Sequence, residues 1–94
     1  MNEALKQIKT QEKEFTAVAN DILDLVPVQK GKLLDIGCGI GWVVKEANTR
    51  GFMASGIDTN SEYVSAGKKY LKVNLIHSSL ENFKTKQKFD VVVL

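Results

Sequence analysis

The chain has 94 residues, of which 44% are hydrophobic and 26% are charged, with a formal net charge of +2. This composition is that of an ordinary soluble domain with room for one small core. No arginine cluster indicates a nucleic-acid surface, no apolar run approaches the ~20 residues of a membrane span, and no signal peptide is recognisable. With one cysteine and one histidine, neither an internal disulfide nor a zinc site is expected. We therefore expect a single cytoplasmic domain, 1–94, without a metal.

The first predicted element is an amphipathic helix over residues 2–26, in which apolar side chains recur at spacings of three, four or seven. The pattern allows a break near Thr10, and Pro27 ends the helix. Binding to a partner or a membrane surface is one interpretation of such a helix. We favour the alternative, in which this amino-terminal helix packs on the sheet.

The stretch over residues 33–42 predicts a buried strand, a glycine loop and the start of a helix. Its three glycines, Gly37, Gly39 and Gly41, can turn sharply and let backbone N–H groups approach a ligand. The loop lacks the Gly-Lys-Ser/Thr ending of a phosphate-binding loop. Its third glycine also falls one residue earlier than in a dinucleotide-binding loop.

Asp35 stands two residues before the first glycine, at the carboxyl end of the predicted strand, where open α/β sheets bind their ligands. A carboxylate at this place repels a pyrophosphate and attracts a positively charged ligand. S-adenosylmethionine meets this requirement, because it carries an ammonium and a sulfonium and no phosphate. A turn without a ligand is the alternative, but such a turn needs only one glycine and no acid.

The Asp-Ile-Gly-Cys-Gly-Ile-Gly segment at 35–41 resembles the first motif of the Rossmann-like (class I) S-adenosylmethionine-dependent methyltransferases, and the similarity extends over residues 33–94. In that family the acid and the glycine loop embrace the methionine part of the cofactor. The resemblance therefore implies a cofactor-binding role for Asp35, Gly37, Cys38, Gly39 and Gly41. The Cys38 side chain is expected to be a small filler and not a nucleophile, because no histidine or lysine is next to it in sequence.

The glycine loop leads into a predicted helix over residues 42–50, which Gly51 ends in a left-handed cap position. Trp42, Val43 and Ala47 form the buried side of this helix. A large aromatic in the first turn of a packed helix usually belongs to the core, which is the role we expect for Trp42, although its position also borders the predicted ligand site.

A second strand is predicted over residues 52–57, and Asp58 ends it, 21 residues after the first glycine of the loop. At this distance, Rossmann-like folds place an acid that accepts hydrogen bonds from both ribose hydroxyls. The alternative role of Asp58 is a helix cap, and Thr59 with Glu62 offers a capping box for the predicted helix over 61–70. The family resemblance continues here and implies that Thr59 lies against the adenine.

The third strand is predicted over residues 73–77, followed by a loop or short helix over 78–83. The family commonly has an aspartate where this chain has Ser79; that aspartate bonds the adenine amino group, and the next backbone N–H meets a ring nitrogen. The resemblance therefore implies adenine contacts for Ser79 and Leu80. Glu81 is an alternative acceptor to the Ser79 hydroxyl.

The strongest strand signal is the β-branched run from Phe89 to Leu94. With right-handed crossovers and the usual switch after the first strand, four parallel strands take the order 3-2-1-4. The predicted fold class is α/β, a partial Rossmann-like three-layer sandwich with flanking helices, truncated after strand 4. An apolar edge strand templates pairing with a second chain, so we expect a homodimer through this strand, or aggregation.

The resemblance implies a parent protein that transfers a methyl group from S-adenosylmethionine to a small molecule, with this chain as its cofactor-binding half, inactive alone. No catalytic base is identified, because the lone His77 lies in the third strand on the adenine side and is expected to be structural. Two other classes stay open. A nicotinamide-dependent oxidoreductase half-domain would share the fold and Asp58, and the chain could also be a non-enzymatic cofactor-binding or assembly module.

Overall fold

Four short parallel strands form one sheet in the computed structural model, which describes residues 2–94. They are β1 (Lys32–Ile36), β2 (Met53–Asp58), β3 (Leu75–His77) and β4 (Val91–Val93). The strand order is β3-β2-β1-β4, which confirms the predicted α/β fold with the order 3-2-1-4. The predicted strand ends differ from the observed ones by up to two residues, because each strand extends only as far as its neighbour pairs with it.

The register of the sheet places Asp35 at the centre of its carboxyl edge. Asp35 is opposite Gly56 of β2 on one side and opposite Val93 of β4 on the other. β4 pairs only with β1 among the described strands, so it lies at an edge of the sheet, as predicted. The Lys32 N–H donates to Asp90 Oδ2 at 2.8 Å and ties the start of β4 to the start of β1.

The helices are α1 (Glu3–Thr10), α2 (Glu12–Asp24), α3 (Trp42–Thr49) and α4 (Ser61–Ala66), which continues into a π-helical turn over Gly67–Leu71. The amino-terminal helix is therefore broken, and the break falls at Gln11, one residue after the predicted position. The helix predicted over residues 61–70 keeps its start but ends in the wider π-helical turn.

α1 and α2 make their main contacts with other helices, α1 with α4 and α2 with α3. Ala19 and Leu23 of α2 are buried in the same core cluster as Leu33 of β1. At the surface, Arg50 follows α3 and donates to Asn20 Oδ1 and to Asp24 Oδ1 of α2, at 2.9 and 2.8 Å. These contacts fix α2 across the first βα unit.

The main core cluster lies between the helices and the sheet face that carries Leu33 and Ala54. On the opposite face, large apolar side chains stay exposed, among them Met53, Ile76 and Val92 at 68%, 41% and 51%. Among the described residues, none of the helices has the length and apolar character needed to cross a lipid bilayer.

Candidate functional site

Two adjoining cavities lie at the carboxyl ends of β1 and β2, where the sequence predicts the ligand site. The first cavity has a volume of about 330 Å³ and is lined by Asp35 and most of the glycine loop. The second cavity has a volume of about 260 Å³ and lies between Asp58 and the segment that follows β3. Ile36 and Gly37 line both cavities, so the two spaces meet at the first glycine of the loop.

The structure brings most of the predicted site residues to these two cavities. The first cavity is lined by Asp35, Gly37, Cys38 and Gly39. The second cavity is lined by Gly37, Asp58, Thr59, Ser79 and Leu80.

Gly41 is the predicted site residue that lines neither cavity. Its φ is 105°, and a Cβ at this position would lie 2.9 Å from the Val73 side chain and 3.2 Å from that of Leu75. The residue is therefore a glycine for two reasons: the backbone is left-handed, and the loop packs closely on the side chains of the third-strand segment.

Backbone hydrogen bonds and one carboxylate hold the glycine loop against the end of β2. The N–H groups of Gly37 and Cys38 both donate to the Ile57 carbonyl, at 2.9 and 3.0 Å. The Gly39 N–H donates to Asp58 Oδ2 at 2.8 Å. Gly37 and Gly39 have φ values of 76° and 59°, and a Cβ at either position would meet no atom within 4 Å. The loop thus has the backbone shape of a cradle with open space beside it.

Two further glycines, which the sequence analysis did not single out, make room for the loop. A Cβ at Gly56 in β2 would lie 2.6 Å from the Cys38 Cβ, and a Cβ at Gly67 would overlap the Ile40 carbonyl oxygen. The second strand and the π-helical turn therefore contact the loop at backbone distance. The sequence did contain a signal, since glycine inside a strand or a helix is unfavourable unless another backbone approaches closely.

Asp35 is a buried residue whose side chain lines the wall of the first cavity. The residue is 6% exposed, and within residues 2–94 its carboxylate takes part in no hydrogen bond or ion pair. Burial raises the pKa of the Asp35 carboxyl from 3.8 to about 6, and the negative charge of Asp58 adds to the rise. A cation brought into the cavity would compensate for the lost hydration of this carboxylate. The site therefore suits a positively charged ligand group.

Asp58 is engaged by the backbone through both of its carboxylate oxygens. Oδ2 accepts from the Gly39 N–H, and Oδ1 accepts from the Asn60 N–H at 2.8 Å. Each oxygen keeps a further lone pair, so Asp58 can accept additional hydrogen bonds from ligand hydroxyls. Asp58 thus joins the glycine loop to the segment before α4.

The predicted capping box of Thr59 and Glu62 is wrong. Asn60 is the N-cap of α4, and its side-chain oxygen accepts from the Tyr63 N–H at 3.0 Å. Asparagine is at least as good an N-cap as threonine, and Asn60 has the extended backbone conformation of an N-cap residue directly before Ser61, the predicted start of the helix. Thr59 is thereby free of the cap and lines the second cavity.

The Cys38 thiol is a buried group that stays protonated. Burial raises the pKa of the Cys38 thiol to about 12, and the charges of Asp35 and Asp58 contribute to the rise. Its Sγ lies 3.6 Å from the Gly39 carbonyl oxygen. A thiol in this state is a poor nucleophile, in agreement with the filler role expected for it.

Among the side chains of residues 2–94, no three His, Cys, Asp or Glu come together as a metal site would require.

The segment after β3 forms a turn at the edge of the second cavity. The Ser79 hydroxyl accepts from the Asn82 N–H at 3.2 Å, and the Ser78 hydroxyl donates to the Ser79 carbonyl at 2.8 Å. His77 Nε2 lies 3.0 Å from the Thr59 carbonyl oxygen, a contact that ties β3 to the segment after β2. The exposed His77 side chain thus contacts the backbone beside the second cavity and lines neither cavity itself.

The amino-terminal helices supply one wall of the first cavity, which the sequence analysis did not foresee. The Trp42 Nε1–H donates to Gln7 Oε1 of α1 at 3.0 Å, and the Trp42 ring stacks on Phe15 of α2 with centroids 6.2 Å apart. Gln7 and Phe15 line the first cavity together with Trp42. Trp42 is only 5% exposed, so it belongs both to the core and to the cavity wall.

Comparison with known proteins gives matches over almost the whole chain. A family model described as a methyltransferase domain matches residues 10–94. A ubiquinone biosynthesis O-methyltransferase of Rickettsia conorii is 29% identical over 87 residues, and the match covers 87% of this chain and 28% of that protein. The chain thus spans less than a third of the length of this relative.

Solved structures of other proteins superpose on the fold of this chain. The PH0226 protein from Pyrococcus horikoshii OT3 superposes with a TM-score of 0.75 at 25% identity, over 92% of this chain and 41% of that one. The plantazolicin methyltransferase BpumL, solved in complex with SAH, superposes with a TM-score of 0.59 at 28% identity, over 86% of this chain and 32% of that one.

Proposed function

This chain belongs to the methyltransferase domain family, and we propose from that premise that its two cavities bind S-adenosylmethionine as the methyl donor of a larger enzyme. The observation that carries the proposal is the Asp35 carboxylate, which belongs to a residue only 6% exposed and lines the first cavity beside an open glycine loop. A cation compensates for the desolvation of this carboxylate, while a pyrophosphate would be repelled by it. S-adenosylmethionine carries positive charge and no phosphate, whereas a nicotinamide dinucleotide carries two phosphates.

In the first cavity, Asp35 and the loop residues Gly37, Cys38 and Gly39 would hold the methionine part of the cofactor. Asp35 supplies the negative charge, and the two glycines let the ligand approach the backbone closely. Gly41 acts on the ligand only through the shape of the loop. When bound, S-adenosylmethionine would supply an electrophilic methyl group on its sulfonium, and the protein would contribute positioning and exclusion of water.

In the second cavity, Asp58 would accept hydrogen bonds from the ribose hydroxyls. Thr59, Ser79 and Leu80 would contact the adenine, since all three line the same space. Because Asp58 already accepts from Gly39, ribose binding and the position of the glycine loop depend on the same side chain. Asp58, the proposed partner of the ribose hydroxyls, and Asp35, the proposed partner of the cation, thus lie on the neighbouring strands β2 and β1.

We propose a small molecule as the methyl acceptor, in keeping with the relative named as a ubiquinone biosynthesis O-methyltransferase. The chain spans less than a third of that protein, and we propose that residues 1–94 alone bind the cofactor without catalysing transfer. We also propose a cytoplasmic location, in keeping with the free thiol of Cys38, which a reducing compartment preserves. Recovery of the protein from an oxidising compartment would contradict that location.

Isothermal titration of the chain with S-adenosylhomocysteine tests the cofactor proposal, with NADH as the control ligand. We expect binding of S-adenosylhomocysteine and none of NADH. Asp58→Ala should abolish binding, whereas Asp21→Asn, an exposed acid on α2, should bind as the wild type does. Binding of NADH instead, or full binding by Asp58→Ala, would overturn the proposal. Circular dichroism of each variant separates loss of the site from loss of the fold.

We propose in addition that the free edge of β4 pairs with a second copy of the chain. Val92 and Leu94 are 51% and 92% exposed, and an unprotected apolar strand edge is a template for pairing. Light scattering of the purified chain at several concentrations should therefore give a dimer or a larger species. Val92→Lys places a charge on this edge strand and should shift the protein to the monomer. A monomeric wild type at high concentration would contradict the pairing.

A further inference from the structure

The free edge of β4 presents backbone groups that can pair with another strand. The Asp90 N–H donates to the Lys32 carbonyl at 2.8 Å, so the backbone of this residue faces β1. The N–H and C=O groups of successive residues in a strand point to opposite edges. Those of Val91 and Val93 therefore point away from β1, to the edge where β4 has no neighbour among the described strands.

The two ends of β4 lie beside charges of opposite sign. The segment over residues 84–88, which leads into the strand, carries three exposed lysines. The carboxylate of Asp90, the next charged residue, already accepts a backbone N–H of β1. At the other end of the strand, Val93 is opposite Asp35, and both residues line the first cavity. Within residues 2–94, no lysine or arginine lines that cavity.

These charges favour one orientation of two β4 strands that pair. In a parallel pair, the three lysines of each copy would lie side by side and repel one another. In an antiparallel pair, the lysines before the second strand continue past Val93 of the first copy to the rim of its first cavity. There they meet the negative charge of Asp35 and attract it. A twofold axis through the sheet gives this antiparallel orientation and makes every contact twice.

We infer that two copies of the chain pair through β4 in antiparallel orientation, so that the three lysines of residues 84–88 in each copy border the first cavity of the other. The inference rests on the proposed pairing of β4, to which it adds the orientation and a role at the site. Each first cavity receives from the other copy the positive charge that its own lining lacks.

The register of this pair follows from the free edge of the strand. Val91 of one copy is opposite Val93 of the other, because these residues have the outward N–H and C=O groups. Val92 is then opposite Val92 of the second copy. Its side chain is 51% exposed in the single chain, and the pairing would cover it.

A disulfide between the two copies tests the orientation. In the antiparallel pair, the Cβ atoms at position 92 are roughly 4.5 Å apart, within reach of a disulfide. Those at position 88 are about 26 Å apart, since eight residues of strand separate them. With oxidised glutathione, Val92→Cys should therefore give a covalent dimer on a non-reducing gel, and Lys88→Cys should not. Met53→Cys, exposed on the same face but in β2, controls for random collision.

Charge variants test the contact with the first cavity. The first variant replaces the lysines before β4 by glutamine: Lys84→Gln, Lys86→Gln and Lys88→Gln. The matched control removes the same charge from exposed positions beside the opposite edge strand, β3: Lys68→Gln, Lys69→Gln and Lys72→Gln. Sedimentation equilibrium should give the first variant a dimer Kd about tenfold or more above that of the wild type, and leave the Kd of the control unchanged. Raising the salt from about 0.01 M to about 1 M should weaken the wild-type dimer and affect the first variant little.

The outcomes separate a failure of the pairing from a failure of its orientation. A wild type that is monomeric at high concentration would overturn both. A dimer in which Lys88→Cys forms the disulfide as readily as Val92→Cys, or in which neither forms it, would leave the pairing and overturn the antiparallel arrangement. Equal Kd values for the two lysine variants would show that the lysines of residues 84–88 do not meet the first cavity of the other copy, which would also overturn the inference.

Discussion

Replacing Asp35 by asparagine should stabilise the ligand-free protein at neutral pH while weakening its binding of S-adenosylmethionine. Asp35 is 6% exposed and no cation or donor compensates for its charge among the described residues. The ionised side chain is therefore unfavourable in the free fold and becomes favourable only when a cation arrives. The substituted asparagine would keep the size of the side chain and remove the charge.

The pKa of Asp35 gives the size and the direction of the expected change in stability with pH. Its pKa rises from 3.8 to about 6 on folding, so the folded protein binds more protons than the unfolded chain between these two values. The contribution of Asp35 to stability is present below pH 3.8 and is lost as the pH rises through about 6. Between pH 4 and pH 7.5 the loss amounts to about 2 kcal/mol.

Urea denaturation of both proteins at pH 4 and at pH 7.5 measures this effect. The stability of Asp35→Asn relative to the wild type should rise by about 2 kcal/mol between the two pH values. The burial of the asparagine amide is the same at both, so it cancels from the comparison. Asp21→Asn, at an exposed position of α2, should show no such change. A relative stability that stays constant or falls with pH would refute the reasoning.

Ionisation of Asp35 lowers the stability of the free protein but should strengthen its binding of a cationic ligand. A cationic ligand requires ionised Asp35, of which about a tenth remains at pH 5 if the pKa is about 6. The wild-type affinity for S-adenosylmethionine should therefore fall about tenfold from pH 7.5 to pH 5. The affinity of Asp35→Asn should be lower at pH 7.5 and nearly flat over the same range. An equally steep decline in the variant would assign the pH dependence to another group.

Two further substitutions test the contacts that hold the site. Gly67→Ala should lower the free energy of unfolding by about 2 kcal/mol or more, because the new methyl group would overlap the Ile40 carbonyl. Urea denaturation should show this loss. The control Ser65→Ala, on the exposed side of α4, should show no loss. Trp42→Phe should lower the free energy of unfolding by about 1 kcal/mol, because the hydrogen bond to Gln7 is lost. A double-mutant cycle with Gln7→Ala should give a coupling energy of similar size. A coupling energy near zero would show that this hydrogen bond does not stabilise the protein.

The sequence was sufficient for the parts of the fold that rest on local signals. The glycine loop after an apolar run, with an acid before it and a second acid after the next strand, predicted the βαβ unit and the position of the cavities. The β-branched run near residue 92 predicted a fourth strand, and the crossover rule gave its place beside β1. The sequence predicts Asp35 and Asp58 at this edge of the sheet because this connection sets their places relative to the glycines, and in the structure the two residues line the first and the second cavity.

Features that depend on which surfaces meet could not be predicted in this way. The amphipathic pattern of α1 and α2 indicated an apolar face, but only the packed chain shows that Gln7 and Phe15 surround Trp42. The sequence predicts a cap at Thr59 because capping residues are adjacent here, whereas the choice of Asn60 depends on how the chain passes from β2 to α4. The π-helical turn begins at Gly67, which lies against the Ile40 carbonyl of the loop, and helix propensity alone does not predict where such a turn falls.

The central place of β1 also has a consequence for how the chain folds. Its two neighbours in the sheet come from very different distances along the sequence: β2 starts 17 residues after Ile36, whereas the bond between Lys32 and Asp90 closes a separation of 58 residues. The entropic cost of closing a loop grows with its length. We therefore expect β1, α3 and β2 to assemble first and β4 to join last. During synthesis, one edge of β1 would stay unpaired until residue 93 has left the ribosome. In this interval a chaperone or a second nascent chain could bind to that edge.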